Sequence, residues 1–173
     1  GKLLFEIVCN NEEYIDLKTD TSDYIMHMEV KKSEENKVFF DHLKFITEKQ
    51  RSSQDLRNKA NSKELPENEK KVVNEKLAEI GKEINKYRLD IIDKYPNLFV
   101  AVIFKTMKEA ETPEFETIKN DSLKRLMKYE YVKTHFFDEV DFSDARINYT
   151  PLYHNKIEKY FKSIVYPIPD SII

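Results

Sequence analysis

Glycine is nearly missing from this 173-residue chain, which has two. A Gly-rich phosphate loop needs several, because only glycine lets the backbone approach a phosphate closely, so nucleotide binding by that route is excluded. Tryptophan is absent and cysteine occurs once, at Cys9. One thiol excludes an internal disulfide and a CxxC redox pair within the chain. Lying in the apolar run "LLFEIVC" (3–9), Cys9 reads as a small buried hydrophobe rather than a reactive thiol. No apolar run approaches the ~20 residues that a membrane-spanning helix requires. No signal-peptide pattern opens the sequence, and Gly1 reads as an added first residue in place of the native start.

A strong charge of one sign is missing too. The net charge is −3, so no global field draws the chain to nucleic acid. Residues 1–30 carry two lysines against seven acids, whereas in 31–94 positive and negative residues interleave. That mixture is the pattern of a solvated helix face, not of a phosphate-tracking stripe, and no nucleic-acid partner is expected.

What is present is charge, 35 % of residues, together with ten Tyr and eleven Phe to build the core. The length suits one domain, or one domain with a small appendage. "LLFEIVC" (3–9) and "EYIDLK" (13–18) read as strands joined through Asn10-Asn11, and "YIMHMEV" (24–30) as a third. At Ser33 the period changes. "SEEN" sets a cap residue before acids suited to the positive end of a helix dipole. Val38, Phe39, Leu43 and Ile46 follow as a helical stripe that thins after Lys49, giving a helix over 34–62. Pro66 opens the next element, since first turns accept proline. Val73, Leu77, Ile80, Ile84, Tyr87, Ile91 and Tyr95 then predict an amphipathic helix over 67–94 of about 28 residues, or about 42 Å. The two helices should form a long antiparallel hairpin with an apolar base and a polar tip. Asn97 can cap "LFVAVIFKTMKEA", apolar all round and read as a central helix. Asp121 or Ser122 opens another helix to about Phe137, with Leu123, Leu126, Met127 and Tyr131 facing inward. Thr150-Pro151 caps a last helix carrying Tyr153, Ile157, Tyr160, Phe161 and Ile164, which "YPIPD" ends. The expected fold is mainly α (an α-rich α+β arrangement), with residues 1–32 as a remnant of a small β domain and 33–173 as a helical domain.

The chemistry-bearing stretch is "HFFDEVDFSDARINYTP" (135–151). His135, Asp138, Asp141 and Asp144 recur every three residues. On one helix they drift by about 60° per step and fan out rather than converge. Oxygen-rich calcium loops also place a glycine at their sharp bend, and none is here. No metal, cofactor or catalytic residue is therefore assigned. His27, His42 and His154 stand singly and read as surface or interfacial residues, and no Ser/His/Asp set has a glycine elbow. The residues suit a structural clasp instead. Asp141 and Asp144 can cap successive turns, and the planar fork of Arg146 can bind Asp144, Asp138 or nearby carbonyls. His135 opens the clasp, and Phe136, Phe137, Phe142 and Ile147 anchor it in the core.

Three segments carry a resemblance. "YPNLFVAVIFKTMKEAETPEF", "YVKTHFFDEVDFSDARINYTPLYHNKIEKYF" and the closing "PDSI" resemble an uncharacterised helical domain of secreted bacterial proteins. That domain lies upstream of a thioredoxin-like domain in proteins read as cell-envelope thiol-disulfide oxidoreductases. "IDLKTDTSDYIMHMEVKKSEENKVFFDHL" resembles the end of the small β domain that often precedes it. The resemblance implies a periplasmic or outer-membrane-associated setting and an attached or partner thioredoxin-like domain, with any activity in that domain's CxxC. This chain carries no CxxC up to Ile173, so no catalytic residue transfers to it. The expected role is a non-catalytic spacer or recognition domain. A stand-alone module binding a peptide or small ligand beside the hairpin is the alternative, and a metal-dependent enzyme ranks behind both.

Overall fold

The computed structural model describes residues 6–12, 14–62 and 65–165. The fold is mainly helical with a small N-terminal sheet. Contacts divide the chain into two compact units, Gly1–Ala101 and Val102–Ile173, so the sheet and the helical hairpin share the first unit. No described helix is long and apolar enough to cross a membrane.

In the first unit, β1 (Asp16–Lys18) pairs antiparallel with β2 (Glu29–Lys32), Leu17 opposite Val30, with a bulge after Asp16. The strands differ from expectation. Tyr24 to His27 form a turn, and extended pairing begins only at Glu29. The reason is local competition. Asp20 accepts from the Ser22 N–H at 2.9 Å and Asp23 accepts from the Met26 N–H at 3.2 Å, and such side-chain acceptors hold the backbone in turns. Residues 6–9 are not a strand, and 3–5 lie outside the described residues, as does Glu13 of the second expected strand. Val8 finds its backbone partners elsewhere. Asn36 Oδ1 accepts from the Val8 N–H at 2.9 Å, and Asn36 Nδ2 donates to the Val8 carbonyl at 2.7 Å. One amide thus supplies what a neighbouring strand would have supplied. Val8 is buried and Cys9 is exposed, opposite to the expectation for the thiol, because neighbours in extended chain face opposite ways.

Helix α1 (Glu34–Ser52) starts as its sequence predicts, with the Ser33 hydroxyl accepting from the Asn36 N–H at 3.0 Å. Ser33 adopts φ 122°, a region unfavourable for side-chain-bearing residues. Its hydroxyl also bonds Glu12 and the Asn36 amide. The expected single helix over 34–62 is instead broken at Ser53, and α2 (Gln54–Ala60) follows. Ser52 and Ser53 each donate a hydroxyl back to a carbonyl three residues earlier, and adjacent serines competing for backbone are a known cause of helix breaks.

Helix α3 (Glu67–Lys94) matches its predicted bounds. Its partners descend as those of α1 rise: His42 meets Arg88, Phe45 stacks on Tyr87 at 4.4 Å, and Lys49 bonds Glu83. That register is antiparallel. Val38, Phe40, Ile91 and Ile92 are buried at the base, whereas α2 buries no residue, so the hairpin has an apolar base and a polar far end.

Helix α4 (Phe99–Met107) begins in the first unit, and its expected cap is corrected. The acceptor for its first N–H groups is Glu35 of α1, not Asn97. Glu35 is 2 % exposed, and its two oxygens take the N–H groups of Phe99 at 2.6 Å and Val100 at 2.9 Å. Asn10 donates to the same carboxylate at 2.8 Å. An anion at a helix N-terminus meets both the unsatisfied donors and the dipole.

In the second unit, α5 (Asp121–His135) is capped by Asn120, whose Oδ1 accepts from the Ser122 and Leu123 N–H groups at 3.0 and 3.1 Å. Leu123 and Leu126, expected to face inward, are 46 % and 53 % exposed. The ring packing of α5 lies toward its far end, where Phe136 and Phe137 contact Tyr160 at 5.3 and 4.9 Å. Helix α6 (Pro151–Lys159) has the expected proline in its first turn. The Thr150 hydroxyl turns back to donate to the Ile147 carbonyl at 2.8 Å and does not cap α6. A π-turn, Tyr160–Ile164, widens the end of α6. The "YPIPD" stop and the closing "PDSI" fall outside the described residues.

Candidate functional site

The stretch 135–151 folds as a chain of short turns. Val140 donates to the Phe137 carbonyl at 2.9 Å, Asp144 to Asp141 at 3.2 Å and Ile147 to Asp144 at 3.1 Å, the last opening a 3-10 helix, Ala145–Tyr149. Each sequence-assigned residue takes a local partner. Asp141 accepts from the Ser143 N–H at 2.9 Å and the Ser143 hydroxyl at 2.6 Å, and these bonds hold its carboxyl below the usual range. Asp144 caps the 3-10 helix at the Arg146 N–H and also receives the Arg146 fork, Nε at 2.9 Å and Nη2 at 2.6 Å. The guanidinium lowers the Asp144 pKa. Arg146 thus grips Asp144, whereas Asp138 pairs with His135, Nδ1 to Oδ2 at 2.6 Å. Phe136, Val140 and Ile147 are buried beneath, but Phe142, expected as an anchor, is 61 % exposed, its ring tilted against Phe137 at 5.9 Å and edge-on to Tyr153 at 6.2 Å.

Two halves therefore separate within the stretch. Asp141 bonds Ser143, and Asp144 bonds Arg146. His135 and Asp138 instead border a cavity of about 200 Å3 at the end of α5, with Tyr131 and Glu139 and with Lys108 and Glu111 from the segment after α4. Lys108 Nζ bridges to Glu139 at 2.7 Å, and this bond raises the lysine pKa. The Tyr131 ring lies 4.1 Å from that of His135. Asp138, expected among the partners of Arg146, pairs instead with His135, three residues before it. Lys108 and Glu139, 31 residues apart, leave no signal in one sequence.

Sequence reasoning passed over three other polar sites. Glu35 looks like an ordinary first-turn acid, yet it shares a stripe with Val38 and His42, and a charged residue on an apolar stripe is the sign that could have found it. His42, read as a surface or interfacial residue, is 3 % exposed and accepts at Nε2 from Arg88 Nε at 3.1 Å. Burial, and the nearby Arg88 charge, lower its pKa to about 4. Lys156 reaches the carbonyls of Thr106 and Lys108 at 2.7 and 3.0 Å, closing the C-terminal end of α4, and burial lowers its pKa.

Two chemical readings fail on geometry. Ser22, His27 and Asp20 lie together, but His27 meets both through the same Nδ1, at 3.2 Å and 2.8 Å, with Asp20 bonded directly to the Ser22 hydroxyl. A nucleophile relay needs the base to use opposite ring nitrogens. Among the described residues, no three His, Cys, Asp or Glu side chains gather to hold a metal ion. Comparison with protein-family models, curated proteins and solved structures found no match to this chain.

Proposed function

We propose that this chain is a non-catalytic spacer or recognition domain of a cell-envelope thiol-disulfide oxidoreductase, with the redox chemistry in an attached or partner thioredoxin-like domain. The observation that supports it most is where the interior polar groups go. Glu35 and Lys156 close helix ends, and Asn36 secures the Val8 backbone. Such bonds hold helix ends and a backbone segment in place, which is a structural use of these groups. The chain's one sulfhydryl, Cys9, stands exposed without a second thiol to complete a dithiol cycle. The family resemblance of the three segments supplies the rest of the reading, including the periplasmic or outer-membrane-associated setting.

The test has two arms. The coding sequence downstream of Ile173 should continue into a strand–CxxC–helix pattern, and a stop codon there would reject the attached-domain form. Purified chain should also reduce insulin no faster than buffer with dithiothreitol. Turnover above that background, lost in Cys9→Ser, would place the chemistry in this chain and reject the non-catalytic reading. The alternative, a module binding a peptide or small ligand, is favoured by one observation, the mixed polar and aromatic cavity beside His135.

A further inference from the structure

We infer that the cavity between the C-terminal end of α4 and α6 binds a small monocarboxylate with an apolar tail, as a free acid. The inference goes beyond the domain role proposed above and holds whether or not a thioredoxin-like domain is attached. Lys108, Lys156 and Lys159 lie together at this end of the second unit. Two of them have a carboxylate: Glu139 pairs with Lys108, and Glu109 with Lys159. Among the described residues, Lys156 forms no ion pair. Its Nζ donates to two neutral carbonyls, those of Thr106 and Lys108 at 2.7 and 3.0 Å. An ammonium has three donors, so one is left over. Burying a charge without its opposite is costly, and burial holds the Lys156 pKa below the usual lysine range. An anion arriving at the third N–H supplies the missing partner.

The space beside Lys156 decides what that anion carries. It is a cavity of about 190 Å3 with Met107, Phe136 and Leu152 on its apolar wall. Lys156 Nζ lies 5.4 Å from the centre of the Phe136 ring, and Met107 is 40 % exposed, which leaves apolar surface for a tail to cover. Leu152, Asn155, Lys156 and Lys159 fall three and four residues apart on α6 and share its face toward the cavity. Asn155 is exposed, and among the described residues nothing bonds its side chain, so its amide is free to donate. A carboxylate has two oxygens, one for Lys156 and one for Asn155. An inorganic anion would leave the apolar wall in water, an uncharged molecule would leave Lys156 uncompensated, and a cation would add to the excess charge. A water takes up about 30 Å3 of liquid, so about six groups of that size fill the cavity, which matches a carboxylate on a chain of roughly three to five carbons.

Titrations followed in 1H–15N correlation spectra of the whole chain test this at constant ionic strength. The probes are acetate, butanoate and hexanoate, with hexanamide as the uncharged counterpart and Nα-acetyl-norleucine as a polypeptide C-terminus bearing a similar tail. Hexanoate should give saturable shifts at the amides of Met107, Leu152, Asn155 and Lys156, and hexanamide should bind about tenfold more weakly or not at all. From acetate to hexanoate, Kd should fall about threefold per added methylene. Asn155→Asp sets a like charge beside the site at an exposed position and should raise the hexanoate Kd about tenfold or more. Lys156→Gln should abolish saturation, and Asn155→Asp decides alone if that variant loses its native spectrum. Absence of saturation, equal binding of hexanamide, or an unchanged Kd in Asn155→Asp would each overturn the inference. Acetate binding as tightly as hexanoate would overturn the apolar tail, and tighter binding of Nα-acetyl-norleucine would overturn the free acid and assign the cavity to a polypeptide C-terminus.

Discussion

Acidifying this protein from pH 8 to pH 5 should remove about 2 kcal/mol of its stability through His42 alone. His42 is buried at the base of the hairpin, and its Nε2 accepts from Arg88 while its ring lies parallel to Tyr87. Protonation removes that acceptor and sets two cations face to face, which is why burial and Arg88 hold the folded pKa to about 4. An unfolded histidine titrates near ~6.5. Between these values the unfolded chain binds the proton and the folded chain does not, so stability falls as pH falls. The contribution is fully present above ~6.5, declines through the window, and levels off below the folded pKa at a loss of roughly 3 kcal/mol. Urea unfolding at pH 8, 7, 6 and 5 measures it. His42→Gln offers Arg88 an amide oxygen without a titrating group, and subtracting its profile removes the other histidines. Parallel profiles for the two proteins would refute the reasoning, because the loss would then arise elsewhere.

Glu35→Ala should cost about 3–5 kcal/mol in urea unfolding, since it strips acceptors from two buried N–H groups and from the Asn10 amide, and Glu35→Gln should cost less because one oxygen remains. Arg146→Ala should cost about 1–2 kcal/mol, the pair with Asp144 being only partly buried, with a smaller loss for Asp144→Asn; no change in the unfolding midpoint would show the contact to be idle. In hydrogen exchange, amides of α2 should exchange faster than those of Ile84 to Ile92, because α2 buries nothing. Equal protection along the hairpin would mean that the far end is covered.

How much of this was legible follows from the range of each interaction. Helix α3 was readable to the residue because its stripe, Val73 to Tyr95, repeats over about six turns and proline stands outside both ends, at Pro66 and Pro96. Within 135–151, the pairing of Asp138 with His135 was not read, Asp138 having been offered to Arg146, whereas Asp144 was readable as one candidate partner of Arg146 because it lies two residues away. The exposure of Leu123 and Leu126 was not, because spacing defines a face and not whether that face is covered. Nor were Glu35 with α4 and Lys108 with Glu139, whose partners are fixed only by tertiary packing. The strands failed for another reason. Apolar alternation at 24–30 was outweighed by carboxylates at Asp20 and Asp23 that hold the backbone in turns.

The grip of Asn36 on Val8 has a consequence for how faithfully the N-terminal segment is positioned. Strands zipped together can slide by two residues and recover most of their bonds with the same side chains inward. A solitary amide offers one donor and one acceptor to one residue, and sliding in either direction forfeits both at once. The alignment of residues 6–10 on α1 is therefore all-or-none. Val8, in an apolar run that would be prone to pair with other chains as an open strand, has both its backbone groups already engaged inside its own unit.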